Sequence, residues 1–160
     1  MDKRKNFIRA AQCEIGVTEN SRAHHMIIDI YNGHKPLPRH YKVKYTDAWC
    51  ATFVSFCAMV AALSDFPFEC SCEKMIAGFQ KLGRWIENDA YIPAAGDIIF
   101  YDWQDTGLGD NHGAADHVGI VENVTADNIT VIEGNYSNAV KRRIIKINNR
   151  YIRGFAIPLF

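Results

Sequence analysis

Residues 48–57, Ala48-Trp49-Cys50-Ala51-Thr52-Phe53-Val54-Ser55-Phe56-Cys57, decide the fold. Apart from Thr52 and Ser55, this stretch and its continuation to Leu63 are apolar at every position. A helix that is apolar all round belongs at the centre of a domain rather than on its surface. Thr46 or Asp47 is a suitable N-cap, so a central helix is predicted from there to about Leu63. Cys50 then falls in the first turn, where exposed N–H groups and the helix dipole favour the thiolate, the nucleophilic form. The alternative is a small buried apolar residue, the commonest fate of a free cysteine. Cys57, two turns later and roughly 10 Å deeper by helix rise, is assigned to the core.

Outward from this helix, Asp2 to Ile15 reads as an amphipathic helix with Phe7, Ile8, Ala11 and Ile15 on one face. Arg22 to Tyr31 reads as a second, stopped by Asn32-Gly33, and residues 34–45, with Pro36 and Pro38, read as loop. Ser71 to Leu82 is a further amphipathic helix. From Pro93 the pattern changes to β-branched and aromatic runs: Asp97 to Trp103, His117 to Val121, Ile129 to Tyr136, Val140 to Ile147 and Ile152 to Ile157. Helices first and strands second predict an α+β class, N-terminal helices packed on a C-terminal antiparallel sheet. Gln104 to Ala115 reads as a flexible loop leading to the His117 strand. No linker, repeat or composition break divides the chain, so one domain over residues 1–160 is expected.

Eighteen Lys and Arg balance eighteen Asp and Glu, which points away from nucleic acid or an anionic membrane as partner. The basic run Lys141-Arg142-Arg143 is expected to be a solvated face. The longest apolar run, Phe53 to Leu63, is too short to span a bilayer, so no membrane insertion is expected. Nothing near Met1 resembles the apolar core of a signal peptide, and five cysteines of irregular spacing do not suggest a disulfide framework. Synthesis and folding in a reducing cytoplasm are the expectation, with action on any external target after release or by a non-Sec route.

Three residues carry the candidate chemistry. His117 opens an apolar strand and shares a face with Gly119, which is expected to leave room for a helix terminus. Glu133 sits among Val131, Ile132 and Gly134, and a glutamate is costly to bury there without a partner. If the turn between these strands centres near Thr125, Glu133 falls directly opposite His117, close enough to fix the imidazole tautomer. Asn135 shares its face. Cys70-Ser71-Cys72, His24-His25 and the pair His112 and His117 lack convincing zinc spacing, so no metal is expected. Cys13, Cys70 and Cys72 are expected to be dispensable.

AWCATFVSFCA, PAAGDIIFYDW, DHVGIVE and VIEGNYS, followed by RRIIKI and IRGFAIP, occur in an order that resembles the CHAP amidase/endopeptidase domain. That family is related to the NlpC-type peptidoglycan hydrolases. The resemblance covers roughly residues 6–158 and implies a reduced papain-like fold. It further implies Cys50 as nucleophile, His117 as base, Glu133 as the residue orienting the histidine and Asn135 as a supporting polar position. Trp49 and Tyr136 are candidate substrate contacts. The implied partner is bacterial peptidoglycan, cleaved at an amide bond of its peptide or at the link to muramic acid, as by a phage or prophage lysin. A thiol amidase or transferase acting on another substrate, and an inactive binding module, are the competing functions. Many family members have Gln where this chain has Trp49. Some phage members carry an acidic calcium loop, whereas His40 to Tyr45 is basic, so no cofactor is carried over.

Overall fold

A computed structural model describes residues 2–104 and 113–160. Four α-helices precede the main strands: α1 (Lys3–Cys13), α2 (Arg22–Asn32), α3 (Cys50–Val60) and α4 (Cys72–Lys81). Local chemistry explains where three of them begin. Asp2 accepts the Lys5 N–H at 3.1 Å, Ser21 accepts that of His24 at 3.1 Å, and Ser71 accepts that of Lys74 at 3.4 Å. Helix α3 is the exception, since Trp49 stands at its N-cap and gives no side-chain cap. The expected caps start it too early. The Asp47 carboxylate instead accepts from the Lys44 N–H at 2.8 Å and the Tyr41 hydroxyl at 2.7 Å, closing a turn ahead of the helix. The all-apolar composition has the predicted consequence, as every residue from Cys50 to Ala58 is buried.

Among the described residues six strands follow: β1 (Trp85–Ile86), β2 (Ile98–Tyr101), β3 (His117–Val124), β4 (Asn128–Glu133), β5 (Lys141–Lys146) and β6 (Ile152–Ala156). They form one antiparallel sheet in the order β1-β6-β2-β3-β4-β5. The class is α+β, as expected. Five strands lie within or close to the predicted β-branched and aromatic runs, and β1, of two residues, is one the sequence reading lacks. The sheet has two apolar faces. Ile98, Phe100, Val118, Ile120 and Ile132 pack with the helices, while Ile99, Tyr101, Val121, Val131, Ile145 and Phe155 form a second cluster. Most of the predicted loop 104–115 lies outside the described residues, as does His112.

The glycine that lets α3 reach the sheet is not Gly119. A Cβ at Gly134 would lie 2.5 Å from the Cβ of Phe53, one turn into α3, so only glycine permits this approach. Gly119 belongs to the face of Val121, turned away from the helices. A Cβ there would lie 2.5 Å from Val131 Cγ1 and 2.7 Å from Glu133 Cγ. Its missing side chain makes room for the glutamate.

Candidate active site

Cys50 is the first residue of α3. The first carbonyl acceptor of the helix, Trp49 O, takes the Phe53 N–H at 2.9 Å, so the N–H groups of Cys50, Ala51 and Thr52 find no acceptor within the helix. Without a side-chain cap, this positive end of the helix is left to face the cysteine sulfur. The Cys50 thiol is held well below its usual range, most strongly through the Cys72 thiol, whose Sγ lies 3.8 Å away. Burial opposes this, while His117 and the Ala51 N–H add to it.

His117 begins β3, at the end of the sheet that meets the tip of α3. Its Nε2 lies 2.9 Å from Glu133 Oε2, which leaves Nδ1 for the thiol. Burial disfavours the charged ring, but hydrogen bonds with Cys50 and Glu133 overcome it and push the imidazole up to about 9. Thiol down and imidazole up both favour a thiolate–imidazolium pair.

Glu133 reaches the histidine by a route the sequence did not show. The β3–β4 turn spans Thr125 to Asn128, and the register shifts between Val121 and Asn123. Ile120 therefore pairs with Ile132, and one step on Glu133 stands opposite Gly119, diagonal to His117 rather than facing it. The gap left by Gly119 carries the side chain across. Glu133 is fully buried, and burial alone would raise its carboxyl. Hydrogen bonds from His117 and Arg143 reverse that and hold it below the usual carboxylate range.

Arg143 is the functional residue that sequence reasoning misplaced. Its Nε donates to Glu133 Oε1 at 2.8 Å and Oε2 at 3.0 Å. Its guanidinium also lies 4.0 Å from the Tyr136 ring centroid and 4.6 Å from that of Trp103. Lys141 and Arg142 do lie toward solvent, Arg142 paired with Glu122 at 2.6 Å, but Arg143 is turned inward. The strand period held the signal, since Arg143 shares a face with the buried Ile145.

Residues 40–135 match the CHAP domain family, which is more than half of the chain. The chain belongs to the CHAP domain family. No curated protein matches the sequence. Among solved structures, the chain is similar to "The crystal structure of Ly7917", at a TM-score of 0.56 and 15% identity over 97% of this chain and 62% of that one. A second structure, "The crystal structure of Ly7917 with the hydrolyzing product of MDP", gives a TM-score of 0.56 and 16% identity over the same shares. The chain thus spans about three fifths of the length of Ly7917. The likeness is one of fold.

Within this CHAP fold the remaining candidates separate. Trp49 is fully buried, donates its indole N–H to Glu19 at 3.1 Å and packs on His24 at 4.6 Å between centroids. That corrects its assignment as a substrate contact, because a side chain sealed in the core holds the start of α3 and cannot touch a ligand. Tyr136 is half-buried beneath Arg143. Asn135 lies beyond the end of β4 in a left-handed conformation at φ 59°, and the imidazole donates its Nε2–H to Glu133 instead. Cys57 is buried in the core, as expected, and burial pushes its thiol up. Cys72, expected to be dispensable, touches the nucleophile candidate. Among the described residues, no group of three or more His, Cys, Asp or Glu is placed to hold a metal ion.

Proposed function

We propose that this protein is a cysteine-dependent peptidoglycan hydrolase that cuts amide bonds in the peptide part of the bacterial wall. The observation that carries the proposal is the chain of contacts from Cys50 through His117 to Glu133, built at an uncapped helix N-terminus. Membership of the CHAP family supports it, and the Ly7917 structure with the hydrolysing product of MDP supports a wall-fragment substrate.

In this mechanism the Cys50 thiolate attacks the amide carbonyl carbon, and the developing oxyanion forms beside the Cys50 N–H at the tip of α3. The His117 imidazolium passes its Nδ1 proton to the departing amine, leaving a thioester. Water then attacks that thioester as the neutral imidazole takes its proton, and the carboxylic acid departs with Cys50 restored. Glu133 holds Nε2–H throughout and stabilises the charged ring each time it forms. Arg143 keeps the carboxylate ionised and aimed. Tyr136 offers an aromatic surface to the peptide.

Purified peptidoglycan digested by wild type should release new amine termini without new reducing sugars, read by mass spectrometry of soluble fragments. Cys50→Ala should release them ~10⁴-fold more slowly or not at all. New reducing ends, or equal release by the variant, would overturn the proposal.

A further inference from the structure

The contacts of His117, Glu133 and Arg143 leave one neighbour of the nucleophile without a task. Cys72 Sγ lies 3.8 Å from Cys50 Sγ. Cys72 is the first residue of α4, as Cys50 is of α3, so two helix N-termini converge on one pair of sulfurs. The separation suits an S–H donor facing a sulfur acceptor and is far beyond the ~2.05 Å of a disulfide. Cys50 is 7% exposed and Cys72 8%, so little water can reach a thiolate held there.

The surrounding charges decide which sulfur keeps the proton. On the Cys50 side stand the His117 imidazolium, backed by Glu133, and the Ala51 N–H. On the Cys72 side stand the carboxylates of Asp116 and Glu73. Both are fixed in place: Glu73 Oε1 accepts the Ala115 N–H at 2.6 Å, and Asp116 Oδ2 accepts the Trp103 N–H at 3.2 Å. Positive charge beside one sulfur and negative charge beside the other leave Cys50 as the thiolate and Cys72 as the thiol.

We propose that Cys72 is a positioning residue for the nucleophile, its S–H donating to Cys50 Sγ and replacing the water that burial excludes. A hydrogen bond to the charged form favours that form, and a fixed donor also fixes where the sulfur points. The sequence gives this residue no visible tie to Cys50, since the two lie on different helices. The inference rests on Cys50 being the nucleophile, but it is read on the thiol itself, without substrate.

The test is the pH dependence of Cys50 alkylation by iodoacetamide in wild type, Cys72→Ala and Cys72→Ser, followed by mass spectrometry of the Cys50 peptide. Circular dichroism checks that each variant is folded. Cys72→Ala should move the midpoint up by about one pH unit or more, the size expected for losing a hydrogen bond to a charged group. Cys72→Ser retains a hydroxyl donor and should return the midpoint to within about half that displacement of wild type. A purely structural role would move neither midpoint, or would move both equally, and either result would overturn the proposal. Wall digestion by the same wild-type sample keeps the two claims apart. A shifted profile with no digestion overturns the substrate class alone, whereas digestion with an unshifted profile overturns the role of Cys72 alone.

Discussion

Replacing Arg143 with Met should destabilise the protein and shift the titration of its histidine together. The Glu133 carboxylate is fully buried and holds two partners, Arg143 Nε at 2.8 and 3.0 Å and His117 Nε2 at 2.9 Å. Arg143→Met keeps much of the aliphatic stem beside Tyr136 and Trp103 but removes the fork and its charge. One charge-assisted bond of this kind is worth about 1.5–3 kcal/mol, and breaking a well-buried ion pair costs about 3–5 kcal/mol. The Arg143 side chain is 22% exposed, so solvent screens part of the pair and the lower range applies. A loss of about 2–3 kcal/mol corresponds to a fall in Tm of about 4–12 °C for a chain of this size. With the guanidinium gone, one positive charge fewer stands beside the His117–Glu133 pair, so the midpoint for loss of the His117 proton should move up from about 9. Arg143→Lys, which keeps the charge without the planar fork, should lie between the two. The assays are calorimetric unfolding and the alkaline limb of the pH–rate profile. A stability change under about 0.5 kcal/mol, typical of surface substitutions, together with an unmoved alkaline limb, would refute the reasoning and return Arg143 to the solvated face that the sequence predicts.

Three further outcomes follow from the same geometry. Activity should be lost as pH falls through the depressed thiol value, and again as pH rises through about 9, where the imidazolium loses its proton; an alkaline limb near the ordinary histidine value of 6.5 would show the ring to be unpaired. Gly119→Ala would place a Cβ 2.7 Å from Glu133 Cγ and should cut turnover on the order of 10–100-fold with the sheet still formed, so an unchanged kcat would contradict the route assigned to Glu133. EDTA should leave both wall hydrolysis and Tm unchanged, and a loss restored by calcium or zinc would contradict the metal-free reading.

How much of this was legible in the sequence depends on the range of each interaction. The burial of α3 follows from composition alone, because a segment apolar on all sides has only one place to go. The strands follow from β-branched and aromatic runs bounded by turn residues, and Cys50 falls in the first turn despite the wrong cap. What the sequence could not show was register. The turn lies at Thr125 to Asn128 rather than centring on Thr125, and together with the shift between Val121 and Asn123 this puts Glu133 on the diagonal to His117 and makes Gly119 a gap for a side chain instead of a helix. Arg143 was partly legible, since it is two residues from Ile145 on a strand, but a basic triplet resembles a solvated face until period 2 is applied to it. Cys72 was not legible, because its contact joins the tips of two helices 22 residues apart in the chain.

The most direct test of the account is a titration with less than one equivalent of iodoacetamide at neutral pH. Residual wall hydrolysis is plotted against the alkylated fraction of each of the five cysteines, read by peptide mass spectrometry. The account predicts that activity falls in proportion to labelling of Cys50 and reaches zero when that residue is fully modified, with Cys13, Cys57 and Cys70 still free. Activity that survives complete labelling of Cys50, or that follows the labelling of Cys70 instead, would contradict it.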